Sequence, residues 1–307
     1  MEKYAFMESL ADNFYLVRGA NNATIPFCNS FVLDGNERVL IDAGLDHSVI
    51  KAIDADRRID LLIITHSHPD HTLASHLLGD RTLMLPEETP DSVHDLFELG
   101  RRFTGSDRGG IHWEQRMRSV YGLQPLKPAD ARFKNGDLLD LGGARLEAIH
   151  LPGHLGDHYG FFDHNSGVLL TTDVDFTGFG PWYGHEEASI ERFKTDVQTL
   201  ASRDARLVCS SHKPPIRSGM KDCFDRFFAS FERQQQEVLD TLESPSTLEG
   251  IVAASPFYHN RFPDPFLQRI YEGHLVKKNL DLMITAGIIK INNDIYTKVK
   301  ETTHAIH

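Results

Sequence analysis

The feature that most constrains this chain is the run Leu61-Leu62-Ile63-Ile64-Thr65-His66-Ser67-His68-Pro69-Asp70-His71. Four aliphatic residues give way to three histidines and an aspartate within six positions. The aliphatic residues read as a buried β-strand. The period-two alternation of an extended chain then puts His66 and His68 on one side of it. Pro69 offers no N–H to a ladder and forces a turn. Asp70 and His71 therefore fall on the loop that enters a helix near Thr72. Imidazole and carboxylate together suit zinc, iron or manganese. Six positions of chain do not wrap one ion with all four groups, so the pattern points to two adjacent metals.

Other strands end in chemistry in the same way. Short β-prone runs at 14–18 and 30–33 lead through Asp34-Gly35, a hairpin signal, into a strand at 38–41. That strand stops at Asp42-Ala43-Gly44. A carboxylate at a strand end faces the crevice where α/β sheets bind ligands. A helix is expected at 46–56, a short helix at 72–78 with His76 off the His71 face, and a strand at 81–85. Residues 86–128 break the rhythm. Helices are expected at 91–103 and 111–121, separated by a glycine-rich stretch at 104–110, with His112, Trp113 and Tyr121 packing this insertion onto the body or lining a pocket. β-structure resumes at 132–149 and turns sharply through Pro152-Gly153 into His154. A hairpin over 161–163 and 168–172 ends in Asp173. The loop Phe176–Gly184 follows with three glycines and four aromatics, the composition of a pocket wall or of a rigid packed loop; as a wall, its Tyr183 hydroxyl could polarise a carbonyl. An amphipathic helix at 189–202 precedes the last strand, 206–210, which runs into Ser211-His212-Lys213.

His66-Ser67-His68-Pro69-Asp70-His71 resembles the signature of the metallo-β-lactamase fold superfamily, and His150–His158 resembles its second motif. The resemblance spans about residues 14–216. It implies a four-layer αββα sandwich of α/β class over residues 1–218, with the 86–128 insertion walling the site. It also implies that His66, His68 and His154 hold one divalent ion, that Asp70, His71 and His212 hold the other, and that Asp173 bridges them. Asp42 and His158 then support the ligand loops, and His150 stands beside the turn. The usual glycine next to the last histidine is absent, because Ser211 and Lys213 flank His212. The implied activity is that of a dinuclear metal hydrolase in which water shared by the two ions attacks a carbonyl. Asp70 could also handle the leaving group's proton. Zinc is the first choice of metal, with iron or manganese as alternatives.

The segment 219–307 reads as a smaller module. A long helix at 220–242 and a short one at 248–254 come first. Asp264 and Pro265 are a cap and first-turn pair opening a helix to 286, and strands at 288–291 and 295–299 flank Asn292-Asn293-Asp294. This order resembles a winged helix, which some members of the superfamily carry beside the site. A DNA reader needs a basic face, whereas the third helix mixes Lys277 and Lys278 with Asp264, Glu272 and Asp281. A structural, substrate-wall or homodimer role is expected, and the tail around His304 is expected to fray.

Composition sets the remaining bounds. The 307 residues, 40% of them hydrophobic, suffice for a large domain and a small one. No apolar run approaches the ~18 residues of a membrane span. The N-terminus lacks the basic-then-apolar order of a signal peptide, which gives a cytoplasmic expectation. Cys28, Cys209 and Cys223 are too few and too scattered for a disulfide framework. A net charge of -12 disfavours a nucleic-acid footprint but admits a small-molecule substrate. Cytoplasmic members with such modules often act on thioesters, so an acyl-thioester is the expected substrate, ahead of lactones and phosphodiesters. A mononuclear iron dioxygenase and a non-catalytic winged-helix regulator are the competing classes. The first predicts one iron per chain, and the second predicts salt-sensitive DNA binding.

Overall fold

The computed structural model describes residues 6–299. Residues 1–5 and 300–307, with His304, lie outside the described residues. One sheet runs β1 (Met7–Ala11), β2 (Phe14–Val17), β3 (Ser30–Asp34), β4 (Arg38–Ile41), β5 (Leu61–Ile63), β6 (Thr82–Pro86) and β7 (Ala131–Phe133) in spatial order. Its first three pairings are antiparallel and its last three parallel. The second sheet contains β8 (Leu138–Leu141), β9 (Ala144–His150), β10 (Tyr159–Asp163), β11 (Val168–Thr172) and β12 (Leu207–Ser210), in the order β12-β11-β10-β9-β8.

Alternation along the strands builds the layers. Phe14, Leu16, Phe31, Leu33, Val39, Ile41, Leu61 and Ile63 share one core with Leu146, Ala148, Phe161 and Leu170 of the facing sheet. Their strand neighbours Val17, Val32, Leu40 and Leu62 point the other way and pack with Ile50 and Ile53 of α1 (His47–Asp56). On the far side, Ile149, Leu169 and Val208 pack with Phe193 and Val197 of a later helix, Ile190–Ala201. Three apolar seams thus separate four layers, helix–sheet–sheet–helix. Each buried aliphatic or aromatic side chain contributes about 1.5–3 kcal/mol, so this stack is the main source of stability.

The insertion comprises a 3₁₀ turn (Asp91–His94), α2 (Leu96–Thr104), α3 (Asp107–Arg116) and a π turn (Met117–Tyr121). The expected glycine-rich separator at 104–110 is shorter than the sequence suggested. Ser106 caps α3 by accepting from the Gly109 amide at 3.1 Å, so Gly109 and Gly110 are helical. The reason is packing: a Cβ on Gly100 would lie 2.9 Å from the Gly110 carbonyl oxygen. These glycines let α2 and α3 cross closely. The helix Ile190–Ala201 is α4.

After β12 come α5 (Met220–Asp240), β13 (Ser246–Thr247), α6 (Leu248–Ala254), α7 (Pro265–Thr285), β14 (Ile289–Asn292) and β15 (Ile295–Lys298). Asp264 caps α7 by accepting from the Phe266 and Leu267 amides at 3.0 Å. Phe224, Phe227, Phe231, Leu275, Leu280 and Met283 share a core with α4, while Leu267 and Tyr271 reach the core over the first sheet. No helix among the described residues is long and apolar enough to cross a membrane.

Candidate metal centre

The site forms where β4, β5, β9, β11 and β12 end. Asp42 closes β4 at φ 61°, a left-handed conformation that aspartate tolerates better than most residues. Its carboxylate accepts from the Thr65 amide (2.8 Å) and the Thr65 hydroxyl (2.9 Å). It also accepts from the His71 Nδ1–H at 2.7 Å. One buried carboxylate therefore fixes both ends of the His66–His71 loop. A single helical turn, Pro69–Thr72, and a 3₁₀ turn, Ser75–Leu78, replace the expected continuous helix at 72–78.

Hydrogen bonds assign the imidazole tautomers. His154 donates Nδ1–H to the Trp182 carbonyl at 2.8 Å, and His212 donates Nδ1–H to the Ala23 carbonyl at 2.7 Å. His71 donates to Asp42, as above. In its neutral form each of these rings has a bare Nε2 aimed inward. The Nε2 of His66 and of His154 lie 2.9 and 3.0 Å from the Nδ1 of His68. Asp173 Oδ2 lies 3.5 Å from His66 and 3.3 Å from His154. Its other oxygen, Oδ1, lies 3.0 Å from His71 Nε2 and 3.8 Å from His212 Nε2. His212 Nε2 is also 3.4 Å from Asp70 Oδ2. Two groups result, His66–His68–His154–Asp173 and Asp70–His71–His212, each with its ligand atoms within 4.8 Å of one another. Asp173 gives one oxygen to each side.

These residues fit metal ions. Bare imidazole nitrogens about 3 Å apart repel unless a cation lies between them. Ligands at about 2.0–2.1 Å around a tetrahedral ion stand roughly 3.3 Å from each other, close to the observed spacings.

The electrostatics follow the same geometry. Burial, reinforced by His71, pushes His66 well below its usual value. Burial alone would raise Asp173, but His71 and His66 hold it well below the usual carboxylate range. Burial would lower His212, yet Asp70 and Asp173 carry it up to about 9. Burial opposes His71 in the same way, and it is nevertheless held well above its usual value. Burial raises the Cys28 thiol beside it to about 12, so that thiol is neutral at pH 7. Asp173 and Asp42 thus remain as the anions that hold His71 up.

Thr172 is strained at φ 47°, unusual for a β-branched residue. Its hydroxyl lies 2.6 Å from His158 Nε2 and 2.9 Å from the Tyr159 carbonyl oxygen. The ladder with β12 shifts register here, and this turns Asp173 into the centre. His158 donates to the Leu151 carbonyl at 3.0 Å, a supporting place. His150 stacks on Tyr159 and bonds the Gly156 carbonyl, which makes it structural. His76 packs against His47, His112 bonds Asp264, Trp113 is buried in the core over the first sheet, and the Lys213 side chain is exposed.

Tyr183 is a correction. It is 0% exposed, and its hydroxyl is committed to Gln234 and Asn279, each at 2.9 Å. It ties the aromatic loop to α5 and α7 and has no free donor for a substrate carbonyl. Its neighbour Trp182 packs edge-on to His68 at 5.5 Å and donates Nε1–H to Tyr258 at 2.6 Å.

Two side chains near the ligands carried no readable signal. Arg102 of α2 binds the Ser67 hydroxyl (2.7 Å), Asp157 (3.2 Å) and Glu187 (2.7 Å). It thereby staples the insertion to both histidine loops. His185 lies 2.9 Å from His68, nitrogen to nitrogen.

The profile of the metallo-beta-lactamase superfamily matches residues 23–243. The chain belongs to that superfamily. Among its relatives are hydrolases. A hydroxyacylglutathione hydrolase of Haemophilus influenzae is 26% identical over 157 residues, 49% of this chain and 67% of that protein. An atrochrysone carboxyl ACP thioesterase of Cryptosporiopsis is 23% identical over 259 residues, 80% of this chain and 68% of that one. A human acyl-coenzyme A thioesterase is 25% identical over 169 residues, 54% and 59% of the two chains. A metallo-beta-lactamase family protein from Thermus thermophilus superposes with a TM-score of 0.72 at 19% identity, over 95% of this chain and 100% of that one. That likeness concerns the fold.

Proposed function

We propose that this metallo-beta-lactamase superfamily hydrolase uses two divalent ions, zinc by preference, to hydrolyse acyl-thioesters. The observation that carries the reading is Asp173, whose two oxygens face the two ligand groups separately. His66, His68 and His154 hold one ion, Asp70, His71 and His212 hold the other, and Asp173 joins them. Such a pair supplies an activated water at neutral pH and a positive field for the oxyanion that develops on an attacked carbonyl.

The protein's part is orientation. The Asp42, Trp182 and Ala23 acceptors keep the rings of His71, His154 and His212 in the tautomer that presents a bare nitrogen. Burial would raise Asp70, but His212 holds it below its usual value, so it serves as an ionised ligand. A thiolate leaving group, with a thiol pKa of about 8.5, departs without a strong acid, and the reaction asks no proton from Asp70. Thioesters are favoured because four of the relatives are named thioesterases. The aromatic wall of Trp182, Tyr258 and Phe179 adjoins the first ion's ligands and offers an apolar surface for an acyl group.

We propose a structural role for the C-terminal helices. Lys277 pairs with Asp281 (2.8 Å) and Lys278 donates to the His185 carbonyl (2.5 Å), which leaves no basic stripe on α7 for phosphates. The test of substrate is a panel of acyl-thioesters, lactones and phosphodiesters with zinc-loaded protein. Thioesters are expected to give the highest kcat/KM, and a tenfold preference for either other class would overturn the substrate.

A further inference from the structure

His185 is buried, at 2% exposure, and stands in no ligand group. Its Nε2 lies 2.9 Å from the Nε2 of His68, and its Nδ1 lies 3.2 Å from the Phe103 carbonyl oxygen. Two imidazoles meeting nitrogen to nitrogen share one proton, and a group outside the pair fixes its direction. Phe103 sits in the last turn of α2, where carbonyls have no helical donor. The His185 Nδ1–H fills that need. A neutral imidazole carries one proton, so the Nε2 of His185 is bare and accepts the Nε2–H of His68. His68 is then bare at Nδ1, the atom 2.9 Å from His66 and 3.0 Å from His154. The opposite order would place a proton on Nδ1, inside the ligand triad.

The His185 ring is itself held firmly. It stacks on Phe103 at 4.3 Å and meets Trp182 at 4.7 Å and Tyr271 at 5.7 Å edge-on. Its carbonyl accepts from Lys278 Nζ at 2.5 Å. Tyr271 and Lys278 both belong to α7. The C-terminal helix thus reaches the ligand shell through His185, beside the contact that Tyr271 also makes with Trp182 at 5.6 Å.

We propose that His185 is a positioning residue that fixes His68 as a ligand through Nδ1, and that α7 tunes the affinity of the His66–His68–His154 group through it. The proposal rests on the two-metal reading above.

Zinc affinity, measured on metal-stripped protein by competition with a chromophoric chelator, tests it. His185→Leu removes the acceptor and should weaken the triad's ion by about 10–100-fold, the usual effect of losing a ligand's outer partner. The melting temperature of the metal-free variant should stay close to the parent's. His185→Gln keeps a carbonyl acceptor and should restore most of the affinity. Lys278→Met should weaken binding in the same direction by a smaller factor. Long-range proton–nitrogen spectra of the unmutated zinc protein give a readout that needs no variant to fold. His185 is expected as the Nδ1–H tautomer and His68 as Nε2–H. A leucine variant that binds both ions as tightly as the parent, or a His185 protonated at Nε2, would overturn the proposal. Parent protein that binds two ions but turns over no thioester would refute the substrate and leave this proposal standing.

Discussion

Asp173 is the residue on which the two ligand groups depend together, since each of its oxygens faces one of them. Asp173→Ala should reduce turnover by more than about a hundredfold, because even outer partners of a ligand are worth about 10–100-fold. Steady-state rates and bound metal per chain, measured on the same sample, check it. Protons separate the two groups. His212, carried up to about 9, holds a proton at pH 7 that an entering ion must displace. Affinity of the Asp70–His71–His212 group should therefore climb as pH rises toward 9, by up to about tenfold per unit for each proton displaced. His66, held well below its usual value by burial and His71, is already bare at pH 7, and its group should respond less. Metal loading from pH 6 to 9 checks this, and two groups filling with the same flat profile would contradict it. The candidate ligands His66, His68, Asp70, His71, His154, Asp173 and His212 were legible in the sequence because each stands in a short stretch that resembles the superfamily's motifs or at a strand end. The sequence did not reveal the Trp182 and Ala23 carbonyls or His185, since those contacts join positions remote in the chain. Tyr183 misled for a related reason: an aromatic loop beside a ligand looks like a pocket wall, and the hydroxyl's burial depends on Gln234 and Asn279.

At the scale of elements, the His154 loop leans on α4. The Gly153 amide donates to Asp196 of that helix at 2.7 Å, and a Cβ on Gly153 would lie 2.1 Å from the Phe193 amide nitrogen. Gly153→Ala should cost about 1–3 kcal/mol of stability and loosen the His154 group, as denaturant melts with and without zinc would report. Asp196 is pushed by burial from 3.8 up to about 7. Its fold therefore prefers the protonated form, so the stability it contributes is full below about 3.8 and is lost as pH rises through about 7. Asp196→Asn keeps an acceptor for Gly153 without the titration, and its melting temperature should fall less than the parent's between pH 4 and pH 7. The strand–helix order was legible because alternation and caps are local signals, Asp264-Pro265 being the clearest. The close α2–α3 crossing was not, because glycines at a helix contact and glycines in a loop look alike in sequence.

For the whole molecule, the cores argue for one cooperative unit. Phe224, Phe231, Leu275 and Met283 from beyond residue 218 share an apolar seam with Phe193 and Val197 of α4. A chain ending at 218 would expose that seam, and it should aggregate or fail to hold metal. A soluble, metal-loaded fragment would show instead that the C-terminal helices are a detachable domain. The four-layer stack brings strand ends from both sheets to one rim, and that rim is expected to hold two cations at once. The most direct test is to load metal-stripped protein with zinc at pH 8, remove the excess and count the ions bound per chain. The arrangement of Asp173 between two ligand groups predicts two. A count of one or none would contradict it.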